Sequence, residues 1–278
     1  MTLINLQSRI HFANNILEEA LHGEIEETGA RNVLIIAEDH LTEADIGIRV
    51  ASGLPKRCAV TVVTVQPDDT KYDVWDRAKA AISPANCDGL VAYGSARAIG
   101  YARKCRVEIA KVKYARVKPK ERGERWVQHL LPDYLVVPGV DGLPNPCCDP
   151  AQMRSSFRGA PPSVIICDPD VTNDVTPPEY ASAYANALGR CLEALGHSAF
   201  NPVADGFATE GLRRLVLAKP VLQDNALSRE AQRDLMAAVL NGAMAQQKGG
   251  GLLQAIHATL CEQTGRELDP GVLNRILL

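Results

Sequence analysis

A chain of 278 residues, 46% of them hydrophobic, has material for one large domain or two modest ones, and with aromatics at 5% its core is aliphatic. A formal net charge of −3 and a charged fraction of 23% are ordinary for a globular protein and give no electrostatic reason to bind nucleic acid or an anionic membrane. No run approaches the roughly 18 apolar residues of a membrane span, and residues 1–9 lack the basic-then-apolar pattern of a secretory leader.

Apolar runs at residues 33–39 (VLIIAED), 60–65 (VTVVTV), 89–94 (GLVAYG), 133–138 (DYLVVP) and 163–168 (SVIICD) read as strands buried on both faces, the mark of parallel sheets. Helical patterns lie between them near 16–28, 43–52, 72–82 and 96–110. This alternation predicts a doubly wound, Rossmann-like α/β domain over residues 1–177. After Pro177-Pro178 the pattern is helical only, over 179–195, 203–217, 228–246 and 252–263, which predicts an all-α domain over 178–278. Ser228 with Glu230 reads as a helix start. A basic cluster (Lys111, Lys113, Arg116, Lys118, Lys120, Arg122 and Arg125) has little periodicity and reads as a solvated loop or exposed face. The eight cysteines contain no CxxC pair, which excludes a zinc ribbon or thioredoxin-type motif. Cys167 and its like read as buried thiols in a reducing cytoplasm, and adjacent Cys147 and Cys148 as spare thiols on a loop.

Several segments, in order, resemble those of the iron-containing alcohol dehydrogenase family. Residues 9–14 (RIHFAN) and 30–41 (ARNVLIIAEDHL) resemble its opening strand and first nucleotide-domain strand. Residues 88–95 (DGLVAYGS) resemble the strand before its phosphate loop, and 164–171 (VIICDPDV) its Asp-Pro segment. In the helical half, residues 186–193 (NALGRCLE), Asn201-Pro202-Val203, 210–213 (EGLR) and 252–260 (LLQAIHATL) look closest to the maleylacetate reductases. The resemblance implies the dehydroquinate synthase-like architecture shared by that family. It also implies a chain shortened at its C-terminal end relative to the family, with apolar surface left for a homodimer or a complex with another protein.

The resemblance further implies hydride transfer between NAD(P) and a carbonyl or alcohol, with a divalent metal held by an aspartate and three histidines acting as Lewis acid. At the matching positions this sequence carries Asn186, Arg190 and Gln254, and near 268–271 there is no histidine. The helical half holds only His197 and His257, so no metal is expected. Asn at the first position is shared with maleylacetate reductases, but they keep the histidines that Arg190 and Gln254 replace. Arg190 and His257 are the remaining catalytic candidates, although His257 also reads as a satisfied structural histidine and His197 as a helix end. Cys191 with His197 pairs by spacing alone.

The family's Gly-Gly-Gly-Ser phosphate turn corresponds here to Tyr93-Gly94-Ser95, with Tyr93 adding bulk and Ala98 and Tyr101 in the following Asp and Lys positions. A second, hydroxyl-rich nucleotide element corresponds to Pro138, Gly139, Val140, Asp141 and Gly142. Asp39, Gly94 and Ser95 are the candidate cofactor residues, Asp39 as a ribose-hydroxyl acceptor. Two functional readings follow. One is a non-catalytic family member that binds a partner or small ligand. The other is a metal-free NAD(P)H-dependent reductase of a maleylacetate-like carboxylate, held by Arg190, Arg213 and Arg154. A different reaction on the same fold finds no nucleophile–base pair to support it.

Overall fold

The computed structural model describes residues 8–117, 130–140, 162–224, 228–264 and 268–278. Among these, residues 8–139 and 162–171 form one compact unit, and Thr172–Leu278 with Val140 form a second.

The first unit contains β1 (Arg9–Phe12), β2 (Asn32–Glu38), β3 (Ala59–Val65), β4 (Gly89–Gly94), β5 (Asp133–Pro138) and β6 (Val164–Cys167). They form a six-stranded sheet in the order β1-β6-β5-β4-β2-β3, with every pairing parallel. Helices α1 (Leu17–Thr28), α2 (Asp45–Gly53), α3 (Lys71–Ala81) and α4 (Ala96–Arg116) connect the strands. Successive strand residues point to opposite faces. Val33, Ile35, Ala37, Val91, Tyr93, Leu135 and Val137 therefore meet Leu17, Leu21 and Ile25 of α1 and Val50 of α2 on one face. The alternate residues of β2 and β4 lie toward α4, which packs on β2, β4 and β5. Burial of both faces explains the near-continuous apolar runs seen in the sequence.

The order of strands fixes where chemistry can occur. After β2 the chain steps outward to β3, then returns past β2 to lay down β4 on its other side. The C-terminal ends of β2 and β4 thus flank a topological switch point, the usual ligand crevice of open α/β sheets.

Asp168, just beyond β6, anchors this unit. Its side chain is fully buried. Its Oδ1 accepts from the N–H of Asn15 at 2.9 Å and of Asp170 at 3.0 Å. Its Oδ2 accepts from the N–H of Ile16 at 3.0 Å and of Leu17 at 3.2 Å, and from Arg49 Nη2 at 2.7 Å. The carboxylate therefore caps the start of α1, where otherwise unpaired N–H groups and the helix dipole favour an anion. Arg49 is itself bonded to Glu18 of α1 at 2.7 Å, so one ion-pair network ties α1, α2 and the end of β6.

The second unit contains α5 (Pro177–Gly196), α6 (Pro202–Asp224), α7 (Arg229–Ala245), α8 (Leu252–Thr264) and α9 (Pro270–Leu277). Their starts are chemically marked. Thr176 and Glu179 bond each other before α5, Asn201 Oδ1 accepts from Ala204 N–H at 3.1 Å for α6, and Ser228 Oγ accepts from Ala231 N–H at 3.2 Å for α7. The core is built of small residues on α5, with Ala183 and Ala187 against Leu215, Leu235 and Ala238. Close approach is enforced by glycine. A Cβ at Gly211 would lie 2.6 Å from Cys191 Sγ, and one at Gly271 would lie 2.0 Å from the Ser182 carbonyl oxygen.

Two expectations need correction. α4 continues to Arg116 rather than ending at Ala110, so Lys111, Lys113 and Arg116 ride its last turns, Lys111 and Arg116 on an exposed helix face rather than in a loop and Lys113 half-buried. Lys111 pairs with Glu108 and Lys113 donates to the Cys87 carbonyl at 2.6 Å, partners that apolar periodicity does not register. The short α9, capped by Asp269, was absent from the helical pattern. The other members of the basic cluster (Lys118, Lys120, Arg122 and Arg125), with Asp141, Gly142, Cys147, Cys148 and Arg154, lie outside the described residues. Cys87, Cys105, Cys167 and Cys191 are buried free thiols, and burial pushes Cys167 and Cys105 up to about 12. Among the described residues no helix is long and apolar enough to cross a membrane.

The anchoring role of Asp168 predicts that Asp168→Ala costs about 3–5 kcal/mol, the effect of stranding a buried partner charge. Asp168→Asn should be nearly as harmful, because its amide turns a donor toward donors. Urea unfolding monitored by circular dichroism measures both, and an Asp168→Asn variant as stable as the parent would refute the anchor.

Candidate functional site

At the switch point, β4 ends in Gly94, whose φ of 103° is one that residues with a Cβ rarely adopt. Ser95 follows as the cap of α4, its Oγ accepting from Ala98 N–H at 3.2 Å. The turn expected from the sequence is therefore present, at the N-terminus of a helix that meets the crevice.

The turn is already filled. Glu38, the last residue of β2, is 4% exposed and turns its carboxylate onto this helix start. Its Oε2 accepts from Ser95 N–H at 3.2 Å, and Ser95 Oγ donates to its Oε1. A Cβ at Gly94 would lie 2.3 Å from Glu38 Oε2. Tyr93, the bulky residue expected at this turn, is 3% exposed. Its ring is packed into the α1–α2 face with Ala37 and Val91, because its parity on the strand sends it away from α4. Burial pushes the Glu38 carboxyl above its usual range, more than its bonds with Ser95 and the nearby Arg97 lower it. Asp39 opens a short 3-10 turn and is exposed, one residue past the carboxylate that occupies the site. Tyr101 donates from its hydroxyl to the Asp69 carbonyl at 3.0 Å, and Arg97 to the Pro67 carbonyl at 2.7 Å. Sequence reasoning stopped at Asp39 and missed Glu38. The available signal was parity: Glu38 shares the α4 face with Leu34 and Ile36, so an acid there must be buried and bonded.

In the helical unit, Asn186 and Arg190 lie one turn apart on α5, Asn186 buried at 7% exposure and Arg190 half-buried. Glu193, a further turn on, reaches the start of α8. It accepts from Gln254 N–H at 3.4 Å and from Leu253 N–H, and burial raises its carboxyl above the usual range. Gln254 Oε1 is buried and has no hydrogen-bond partner among the described residues. His257 is engaged structurally. Its Nε2 lies 2.7 Å from the Leu268 carbonyl and 3.5 Å from Cys261 Sγ, while Leu268 N–H donates to that sulfur at 3.3 Å. His197 ends α5, its Nδ1 accepting from Ala199 N–H at 3.1 Å, and Cys191 is instead buried beside Gly211. Arg213 is bonded to Glu210 at 2.7 Å on the exposed side of α6. Among the described residues no group of three or more His, Cys, Asp or Glu side chains is gathered to hold a metal ion. An amide and a guanidinium are a poor donor set for iron or zinc, so the residues do not fit the metal that the resemblance implies.

Because the folded state raises the Glu38 pKa, folding favours its protonated form. The resulting stability is present below about pH 4.3, the unfolded value, and is lost as pH rises through the folded value. Glu38→Gln, whose oxygen can accept from Ser95 N–H while its amide N–H donates to Ser95 Oγ as a protonated carboxyl would, should therefore match the parent in acid and melt at a higher temperature above neutrality. Paired melts from pH 4 to 8 check this, and a gap that does not widen with pH counts against it.

No family model matches the chain. Its sequence is similar to a 4-hydroxybutyrate dehydrogenase of Cupriavidus necator, 26% identical over 273 residues, covering 93% of this chain and 70% of that protein. The structure is similar to an iron-containing alcohol dehydrogenase from Corynebacterium glutamicum, with a TM-score of 0.74 and 20% identity over 98% of this chain and 70% of that one. It is equally similar to a maleylacetate reductase from Rhizobium sp. strain MTP-10005, with a TM-score of 0.75 and 20% identity over 99% and 73%. The order of segments in the sequence and the arrangement of elements agree: this chain has the fold of the iron-containing alcohol dehydrogenases and maleylacetate reductases, and resembles that family along nearly its whole length.

Proposed function

We propose that this iron-alcohol-dehydrogenase-like chain no longer performs metal-dependent hydride transfer and serves as a subunit that binds a partner or a small carboxylated ligand. The observation that carries this reading is the donor set of the helical unit. Asn186 and Arg190 stand one turn apart on α5, Gln254 stands on α8, and His257 is committed to the Leu268 carbonyl. A fixed guanidinium repels a cation and favours a carboxylate, which it can grip through two parallel bonds.

A second reading draws on the relatives. The names of the similar proteins specify 4-hydroxybutyrate and maleylacetate, both carboxylates. A metal-free NAD(P)H-dependent reductase of such a substrate would use Arg190 for the carboxylate. Arg213 is the other described candidate for that role and is paired with Glu210 on α6. Association through the helical unit belongs to the first reading. Exposed apolar side chains such as Phe200 (80% exposed), Val216 (69%), Leu252 (73%) and Ile276 (75%) support a homodimer or a hetero-complex, and a monodisperse monomer in light scattering would remove that element.

The test is elemental analysis of protein purified with iron and zinc supplied, joined to nicotinamide absorbance with 4-hydroxybutyrate or maleylacetate and either cofactor. The expected result is well under one ion per chain and a flat trace. A stoichiometric ion with metal-dependent turnover overturns the proposal. Turnover that is indifferent to metal and lost in Arg190→Ala selects the reductase.

A further inference from the structure

The α/β unit points to a second feature that stands apart from the metal question. In open parallel sheets, a glycine turn at the switch point lets the backbone of a helix N-terminus approach an anionic phosphate. Here Gly94 and Ser95 supply that turn, and α4 supplies the helix. The volume that the glycine frees is taken up by Glu38, since a Cβ on Gly94 would meet Glu38 Oε2 at 2.3 Å and Leu41 Cδ1 at 2.6 Å.

Donors at this helix start are engaged as well. Ser95 N–H donates to Glu38, and Ala98 N–H donates to Ser95 Oγ, which itself donates to Glu38. A carboxylate and a phosphate seek the same thing, a cluster of N–H groups at the positive end of a helix. The chain has placed its own anion there, from the neighbouring strand, with 4% of the residue left exposed.

We propose that Glu38 is a built-in occupant of the dinucleotide-phosphate position, which closes the α4 N-terminus to NAD(P)(H) until its side chain is removed or displaced. The contact is autoinhibitory in form: the cradle is intact and its plug is one side chain. Neighbouring Asp39 is exposed at the strand end.

The experiment is isothermal titration of the full chain with NADH and with NADPH, comparing the parent with Glu38→Ser and Glu38→Gln. Serine removes the carboxylate, while glutamine keeps its volume and can still bond Ser95, accepting from its N–H and donating to its Oγ. The parent and Glu38→Gln are expected to give no saturable heat, and Glu38→Ser to bind at least one of the two cofactors about tenfold or more tightly, a difference of about 1.4 kcal/mol. Should Glu38→Ser lose its cooperative melt, Glu38→Thr, a better strand former, is read the same way. A folded Glu38→Ser or Glu38→Thr that binds neither cofactor overturns the proposal, as does a parent that binds as tightly as those variants. Neither result touches the metal reading, which is decided by elemental analysis.

Discussion

The α/β unit depends on a carboxylate that has no contact with water. Asp168 leaves the end of β6 and takes up the N–H groups that open α1, while Arg49 of α2 neutralises it. β1 pairs with β6, so this single side chain determines where the chain leaves β1 and begins its first helix. With α1 fixed, the α1–α2 face of the sheet can close over Val33, Ile35, Tyr93 and Leu135. A buried charge is tolerable only with this density of partners, and the partners are useful only because the charge is there.

The same device recurs at two other helix starts. Glu38 covers the beginning of α4 and Glu193 the beginning of α8. In each case a neighbouring element of the same unit supplies the carboxylate, and in each case burial raises its pKa. A helix N-terminus left open is an invitation to a bound anion. These two are answered from within the chain. That is a structural economy, since each helix start finds its anion within its own unit.

The helical unit tells a compatible story through size. Ala183, Ala187 and Cys191 on α5, faced by Gly211 and Gly242, bring helices close enough that little room is left for bulky core groups. Asn186 and Arg190 sit on this same helix, so any ligand they hold must be accommodated by a tightly packed element. Among the described residues, Gln254 Oε1 is buried without a hydrogen-bond partner. It lies at a position where the family resemblance calls for a metal ligand.

Much of this was legible in the sequence. Apolar runs buried on both faces required parallel strands, the helical pattern after Pro177 pointed to a second unit, and the residue identities at 186, 190 and 254 could be read directly, since side-chain identity needs no coordinates. What the sequence left open was direction. That Tyr93 turns into the α1–α2 face, that Glu38 turns toward Ser95, and that His257 is spent on the Leu268 carbonyl all follow from strand parity and from the juxtaposition of residues far apart in the chain. Glu38 and Ser95 are 57 positions apart, and only the return of the chain to lay β4 beside β2 brings them together. Composition and periodicity report what each segment can bury. Which acid meets which helix start is decided by topology, because a hydrogen bond acts over a few ångströms and the sequence carries no distances.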